Sequence, residues 1–304
     1  MLSAREAVSL YYGDVPASRI LLTASTSEAY AYLFKLLCDP GDEVLSPRPS
    51  YPLFEFLAGL ELVRAVPYPL RYDGVWHVDF DALSRAITAK TRAIIVVNPN
   101  NPTGSFLKRE EWARLESFGI PILSDEVFCD YALTEDASRV RTLTCARSVL
   151  TFSMSGLSKI AGLPQMKLGW IVVSGPGHEE ALERLELIAD TYLSVAAPVQ
   201  IALPQLLEDA VAVRVQISER TRANLASMRD ARPLHAEGGW YAILQVPRTK
   251  SEEEWAMELL NRRDVLVQPG FYYDFESEAF LVLSLLTRPD VFAEGLRRLM
   301  EEIG

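Results

Sequence analysis

Residues 92–104, RAIIVVNPNNPTG, join a run of apolar side chains to a turn rich in asparagine and proline. A short, β-branched apolar run that stops at turn residues is typical of a buried strand. Similar runs recur along the first two hundred residues, each followed by helical spacing, as in RILLTAS before SEAYAYLFKLLC and DEVLSP before YPLFEFLAG. This alternation predicts βαβ units and a mostly parallel sheet with helices on both faces.

The second part of the chain has a different pattern. After the strand-like run LGWIVVSGPG, residues 168–177, long helical stretches follow, and the C-terminal third alternates short apolar runs with helices. A chain of 304 residues is long enough for a large domain and a smaller one. We therefore predict a large α/β domain over residues 1–205 and a small α+β domain over residues 206–304.

Composition limits the class of protein. The net charge is −11 and no basic stripe offsets it, which argues against nucleic acid as a partner. No apolar run has the length of a membrane span, and the N-terminus has no signal-peptide pattern, so we expect a cytoplasmic protein without a membrane partner. The cysteines and histidines are few and scattered, which predicts no metal site. These residues are Cys38, Cys129, Cys145, His77, His178 and His235.

Polar residues follow three of the predicted strands directly. The segments are VNPNNPTG at 97–104, SDEVFCDY at 124–131 and FSMSGLSK at 152–159. Ligands of parallel α/β sheets bind at the carboxyl ends of the strands. We therefore expect the three segments to meet in one cleft.

These segments, with PGDEVLSPRPSYP at 40–52 and GLPQMKLGW at 162–170, resemble the motifs of the class I/II aminotransferases, the pyridoxal-phosphate enzymes of fold type I. The resemblance runs from about residue 2 to the C-terminus. It implies that fold, the cofactor pyridoxal 5'-phosphate, and a homodimer in which Ser194 approaches the phosphate of the partner. It also implies cis peptide bonds at Arg48–Pro49 and Asn101–Pro102.

The resemblance assigns roles that the chemistry requires. Lys159 matches the Schiff-base lysine, because a partly deprotonated amine can both form an imine and move a proton at the substrate α-carbon. Asp125 matches the carboxylate that keeps the pyridine nitrogen protonated, whereas Glu126 is expected to point elsewhere by strand alternation. Tyr51 matches the residue that stacks on the cofactor ring, and Asn101 matches the amide at its 3-hydroxyl oxygen.

The cofactor phosphate needs helix-start amides, hydroxyl groups and a cation. Hydroxyl residues precede the helix that begins in TASTSEAY, and further hydroxyl groups lie beside Lys159. A lysine stands where the family usually has arginine, which makes a point-charge contact in place of a bidentate one. The residues expected around the phosphate are Ser25, Thr26, Ser27, Ser153, Ser158 and Lys167.

The sequence also departs from the family pattern. Phe128 replaces a tyrosine that bonds the 3-hydroxyl oxygen in many relatives, and Val282 stands where most relatives carry the arginine that binds the substrate carboxylate. Arg288 is the nearest candidate for a substitute in the sequence. The sequence starts, at Met1, with a predicted helix. In relatives several dozen residues come before this helix, and they include an arm over the active site. This start implies an N-terminally short family member or a reading frame that begins too late.

The leading interpretation is an aminotransferase that moves an amino group between an amino acid and a 2-oxo acid. A pyridoxal-phosphate lyase is a second interpretation, because one cofactor supports several reactions. A third is a catalytically impaired cofactor-binding or interaction protein that lacks the N-terminal arm. The donor and the acceptor do not follow from the sequence.

Overall fold

A computed structural model describes residues 1–13, 15–146 and 148–303 of the chain. Within these ranges the backbone forms an eight-stranded sheet, a three-stranded sheet and ten α-helices. The strands are β1 (Ile20–Thr23), β2 (Glu43–Arg48), β3 (Arg64–Tyr72), β4 (Trp76–Val78), β5 (Thr91–Val97), β6 (Ile122–Asp125), β7 (Thr151–Gly156), β8 (Gly169–Ser174), β9 (Tyr241–Gln245), β10 (Gln268–Pro269) and β11 (Phe280–Ser284). The helices are α1 (Leu2–Tyr11), α2 (Thr26–Leu37), α3 (Phe54–Leu60), α4 (Phe80–Ala86), α5 (Arg109–Ser117), α6 (Leu157–Ile160), α7 (His178–Asp190), α8 (Ala197–Ser227), α9 (Glu252–Arg263) and α10 (Pro289–Ile303).

The large sheet has the strand order β1-β8-β7-β6-β5-β2-β3-β4. Strands β3, β2, β5, β6 and β7 are parallel to their neighbours in that series, while β8 runs antiparallel to both β7 and β1, and β4 antiparallel to β3. The expected α/β fold with a mostly parallel sheet is confirmed. The carboxyl ends of β2, β5, β6 and β7 therefore lie along one edge.

Apolar side chains cover both faces of this sheet, as strand alternation requires. On β5, Ile95 packs in a cluster with Phe34 of α2 and Leu185 of α7. Its neighbour Ile94 packs on the opposite face in a cluster with Leu115 of α5. The parallel strands are thus buried on both sides, and their ends are left to form a site.

The three-stranded sheet, in the order β10-β11-β9, packs against α9 and α10. Leu281 of β11 faces those helices, whereas Val282 faces the apolar cluster that includes Leu45 and Ile94 of the large sheet. Helix α8 is 31 residues long and runs through residue 205. The domain boundary predicted at 205 and 206 thus falls inside one continuous helix.

The turn that follows β5 is tightly joined to the segment that leads into β9. A Cβ atom on Gly104 would lie 2.5 Å from the carbonyl oxygen of Gly238, which leaves no room for a side chain. Next to this contact the buried carboxylate of Glu237 accepts hydrogen bonds from the Lys108 and Arg139 side chains and from the backbone N–H of Phe106. This seam holds the two sheets against each other.

Three X-Pro peptide bonds are cis, at Arg48–Pro49, Asn98–Pro99 and Asn101–Pro102. The first and the third were expected from the sequence, and the second was not. A search of the helices within the described residues finds none that is long and apolar enough to span a bilayer. Over the same residues, no group of three or more histidine, cysteine or acidic side chains is placed to hold a metal ion.

Candidate active site

The strand order brings four of the predicted residues to one edge of the large sheet. Asp125 ends β6, and Lys159 lies in the single-turn helix α6 that follows β7 directly. Asn101 lies in the turn after β5, and Tyr51 follows β2. Because β5 and β6 pair Val97 with Asp125, the asparagine turn begins level with the carboxylate.

The carboxyl group of Asp125 is buried and held by two donors. The Tyr30 hydroxyl donates to Oδ2 at 3.3 Å, and the Val127 backbone N–H donates to Oδ1 at 3.2 Å. Burial raises the pKa of Asp125 to about 6, although both hydrogen bonds and the Lys159 charge act in the opposite direction. Glu126 points to the other side, where it accepts hydrogen bonds from Ser124, Thr142 and the Leu143 backbone, as strand alternation predicted.

The amino group of Lys159 lies between aromatic rings and faces Asp125. Its Nζ is 5.3 Å from the ring centroid of Trp240 and 5.7 Å from that of Phe128. Burial lowers the pKa of Lys159, while the nearby Asp125 charge raises it. The lysine is therefore partly shielded from water and biased toward the neutral amine that a nucleophile requires.

Tyr51 and Asn101 have groups available to a ligand. The Tyr51 ring is 37% exposed and meets Phe54 edge-on with 6.0 Å between centroids. Phe54 also contacts Tyr30, the donor to Asp125. Burial, and after it the Asp125 charge, raises the pKa of Tyr51, so the exposed ring lies on the same side of the cleft as the carboxylate. The Oδ1 atom of Asn101 is buried and has no hydrogen-bond partner in the described part of the chain. An unpartnered buried amide oxygen is unusual and fits a site that a ligand completes.

The start of α2 provides backbone donors. The Ser25 hydroxyl caps the helix by accepting from the Glu28 N–H at 3.1 Å. The first N–H groups of a helix have no partner inside it, and those of Thr26 and Ser27 bond no acceptor among the described residues. Anions bind readily at such a terminus.

Two glycines bring Lys159 and Lys167 close to this helix start. Gly156 of β7 pairs with Gly169 of β8, and Gly169 pairs with Thr23 of β1. A Cβ on Gly156 would lie 2.8 Å from the Gly169 Cα, and a Cβ on Gly169 would lie 3.3 Å from the Ser25 carbonyl carbon. Lys167 is exposed and precedes Gly169 by two residues, so its backbone lies at the same end of the sheet.

The structure does not bring every predicted serine to the start of α2. Ser153 pairs with Val172 of β8, which pairs with Ile20 of β1, so it lies three residue pairs below the level of Gly156. It is fully buried, on the side of Glu126. Ser158 is half-buried in α6 next to Lys159. In this single chain, the Ser194 hydroxyl donates to the Glu28 carboxylate at 2.8 Å.

Val282, at the position where most relatives carry an arginine, also has apolar surroundings. Val282 is 1% exposed and packs in a cluster with Ile243 and Tyr273. Arg288 lies on the surface, where it forms an ion pair with Asp290 at 2.6 Å. It is not placed to bind a substrate carboxylate in this cleft.

Sequence reasoning missed three residues of the site. Tyr30 bonds Asp125, Trp240 covers one side of the Lys159 amine, and Tyr131 donates its hydroxyl to the Lys159 carbonyl at 2.6 Å. Tyr131 follows directly in the SDEVFCDY segment, and Trp240 follows a Gly-Gly pair. The SDEVFCDY motif and the Gly-Gly pair marked these two positions in the sequence, but the contacts that Tyr131 and Trp240 make join residues far apart in the chain.

Comparison with known proteins decides the family. The family model described as aminotransferase class I and II matches residues 2–298. The chain belongs to this family. Family members transfer amino groups with pyridoxal phosphate, and the chain is an aminotransferase of this class.

Relatives of this aminotransferase are named as glutamate-pyruvate and alanine aminotransferases. A glutamate-pyruvate aminotransferase of Haemophilus influenzae is 27% identical over 315 residues, which cover 94% of this chain and 76% of the relative. The Escherichia coli K12 glutamate-pyruvate aminotransferase is 33% identical over 68% of this chain and 54% of its own. An alanine aminotransferase of Pyrococcus furiosus has a TM-score of 0.89 at 24% identity, covering 100% of this chain and 82% of its own. The fold type I architecture predicted for the chain is thereby confirmed.

Proposed function

We propose that this aminotransferase binds pyridoxal 5'-phosphate at the strand edge and moves an amino group between an amino acid and a 2-oxo acid. The observation that carries the proposal is the pair formed by Lys159 and Asp125. A half-buried amine with a lowered pKa and a buried carboxyl group face each other at the carboxyl ends of adjacent strands. The relatives named for alanine, glutamate and pyruvate support small amino acids and 2-oxo acids as substrates.

The residues present fit this cofactor. The unpartnered Oδ1 of Asn101 suits a ligand with a phenolic group, and the exposed face of Tyr51 suits a planar ring. The amides of Thr26 and Ser27, the Ser25 hydroxyl and the Lys167 ammonium suit a phosphate. Ser158 next to Lys159 is a further hydroxyl donor, whereas Ser153 lies too far down β7 to join the phosphate group.

Each residue has a task that its surroundings support. Bound pyridoxal phosphate supplies an aldehyde and an electron-withdrawing ring. Lys159 would bind the aldehyde carbon, and its amine would be the group that moves a proton at the substrate α-carbon. Asp125 would be the carboxylate that faces the ring nitrogen and favours its protonated form. Tyr51 and Asn101 orient the ring, and the aromatic side chains of Phe128 and Trp240 exclude water from the amine.

The test is a spectrophotometric half-reaction panel on the purified holoprotein. Single amino acids are added one at a time, and loss of the visible band of the lysine-bound cofactor is followed. Lys159→Ala should show neither the band nor turnover, because a methyl group cannot bind the aldehyde. Lys90→Ala, which removes an exposed lysine, should behave like the wild type. Turnover by Lys159→Ala without added amine would refute the proposal. Release of ammonia together with the 2-oxo acid, with the cofactor left in its aldehyde form in place of the aminated form, would show a lyase.

We further propose the assembly and location of the enzyme. The suggested domains are residues 1–205, which bind the cofactor, and residues 206–304. A homodimer is supported by large apolar side chains on the surface, among them Phe56, Leu60 and Leu193, which are 69%, 79% and 89% exposed. Three unpaired cysteine thiols suit the reducing cytoplasm. A monomer by light scattering that still turns over would contradict the dimer.

A further inference from the structure

The hydroxyl of Tyr131 is the donor that holds the backbone of the reactive lysine. It donates to the Lys159 carbonyl oxygen at 2.6 Å. The Tyr131 side chain is 1% exposed, and burial raises its pKa well above the usual range. The phenol is therefore protonated at neutral pH and can act as a hydrogen-bond donor.

Helix α6 is too short to fix Lys159 by itself. It has four residues, and the Ala161 N–H is bonded to the Leu157 carbonyl. The last carbonyls of a helix have no intrahelical partner, so the Lys159 carbonyl depends on an outside donor. Because a peptide plane sets the direction of the adjoining Cα–Cβ bond, the bond from Tyr131 also sets where the lysine side chain starts.

Tyr131 itself is held on both sides. Its N–H donates to the Phe128 carbonyl at 2.9 Å, and its carbonyl accepts from the Gly239 N–H at 2.9 Å. Its ring meets the Trp240 ring edge-on, with 5.0 Å between centroids. One residue thus contacts the lysine backbone through its hydroxyl and, through its ring, the tryptophan that covers the lysine amine.

We propose that Tyr131 is a positioning residue for Lys159: its hydroxyl fixes the lysine backbone so that Nζ lies between Phe128 and Trp240 and faces Asp125. This inference rests on the proposed role of Lys159 in amino-group transfer. It does not require Tyr131 to touch substrate or cofactor. The ring packs against Trp240 and the hydroxyl bonds the Lys159 carbonyl, so Tyr131→Phe removes only the hydrogen bond.

The matched control is Tyr68→Phe. The Tyr68 side chain is also 1% exposed, and its hydroxyl donates to the backbone carbonyl of Ile95 at 2.8 Å, away from the lysine. Both variants lose one buried hydroxyl-to-carbonyl hydrogen bond. A general effect of that loss on stability should therefore appear equally in the melting temperatures of both.

Two measurements test the inference. In the full chain freed of cofactor, acetic anhydride labelling of Lys159 is followed by peptide mass spectrometry as a function of pH. Tyr131→Phe should raise the labelling midpoint toward that of an ordinary lysine, because the amine is no longer held in its shielded position. In the holoenzyme, kcat should fall by about tenfold, while KM changes by less than about twofold.

A Tyr131→Phe chain with the wild-type labelling midpoint would overturn the inference, whatever its kcat. Equal shifts in Tyr68→Phe would overturn it too, since the effect would then be general. The labelling midpoint does not depend on the cofactor. If the wild type fails the half-reaction panel but the labelling midpoint of Tyr131→Phe is shifted, only the proposed reaction is refuted. If the wild type passes the panel but the midpoint of Tyr131→Phe is unshifted, only the role of Tyr131 is refuted.

Discussion

At the scale of single residues, Asp125 shows how a site destabilises the chain that carries it. Its carboxyl group is buried, and the Lys159 ammonium is the one cation among the groups that shift its pKa. Burial outweighs that cation, and the pKa of Asp125 rises to about 6. In an unfolded chain the same group ionises near pH 4. Between those values the folded chain holds a proton that the unfolded chain releases, so stability falls as pH rises from about 4 to about 6.

Asp125→Asn should remove this dependence in the cofactor-free chain. Relative to wild type, the variant should gain up to about 3 kcal/mol of unfolding free energy at pH 8 and none at pH 4. Urea unfolding at the two pH values measures the difference. The pKa of Glu126 is also raised by burial, to about 7, but that residue is common to both proteins and cancels in the comparison. Parallel stability curves for the two proteins would contradict the argument.

Val282 stands where the family pattern has the arginine that binds the substrate carboxylate, so we expect it to affect substrate choice. A clamp arginine makes two charge-assisted hydrogen bonds to a carboxylate, worth about 3–6 kcal/mol together. Val282 offers neither, and its neighbours Ile243 and Tyr273 form an apolar cluster with it. We expect the wild type to prefer an α-amino acid over the matching amine without a carboxylate by less than about 100-fold in kcat/KM, below the range of a clamp.

Rate profiles over paired substrates, with and without the α-carboxylate, measure this preference. Arg288→Ala is the control, because the structure places this arginine on the surface in an ion pair with Asp290, and it should leave the profile unchanged. A strong carboxylate preference that survives Arg288→Ala would mean that another group binds the carboxylate.

At the scale of elements, the start of α2 has a structural task, and we expect it to bind the cofactor phosphate as well. Ser25 caps α2 through the Glu28 N–H, and Ser251 caps α9 in the same manner through the Glu254 N–H. Either serine replaced by alanine should lower the unfolding free energy by about 1 kcal/mol. Only Ser25→Ala should also weaken pyridoxal-phosphate binding, as measured by cofactor titration. Equal cofactor affinities in both variants would show that α2 does not bind the phosphate.

The elements themselves could largely be predicted from local pattern. The apolar run RAIIVV became β5, and the helix predicted in PDVFAEGLRRLMEEI is α10 over Pro289–Ile303. The sequence predicts a long helix roughly over PQLLEDAVAVRVQISERTRANLASM, which starts at Pro204. Helix α8 begins at Ala197 instead, with Pro198 in its first turn and Pro204 inside the helix. Strand β4 is three residues long and gave no periodic signal.

The contacts of the site could be predicted only where a motif marked them. The resemblance named Lys159 and Asp125, and the structure brings both to one edge of the sheet. The bond from Tyr30 to Asp125 spans 95 positions of the chain and depends on how α2 packs on the sheet. No local pattern contains that information. The insertion of β8 between β1 and β7 is likewise a long-range pairing.

At the scale of the whole molecule, we expect the glycine pair of β7 and β8, Gly156 and Gly169, to limit the length of ligand that the cleft accepts. Their backbones and that of Ser25 lie in close contact without an intervening side chain, so the segment that carries Lys159 lies near the start of α2. The enzyme should therefore bind molecules in which an aldehyde and an anionic group are separated by one particular distance. A Cβ on Gly169 would lie 3.0 Å from the Ser155 carbonyl oxygen, 3.2 Å from the Thr23 hydroxyl and 3.3 Å from the Ser25 carbonyl carbon, so Gly169→Ala should shift these groups and disturb the spacing between Lys159 and the start of α2. Affinity for pyridoxal phosphate should then fall, while affinity for pyridoxal, which has no phosphate to reach the far end, should stay the same.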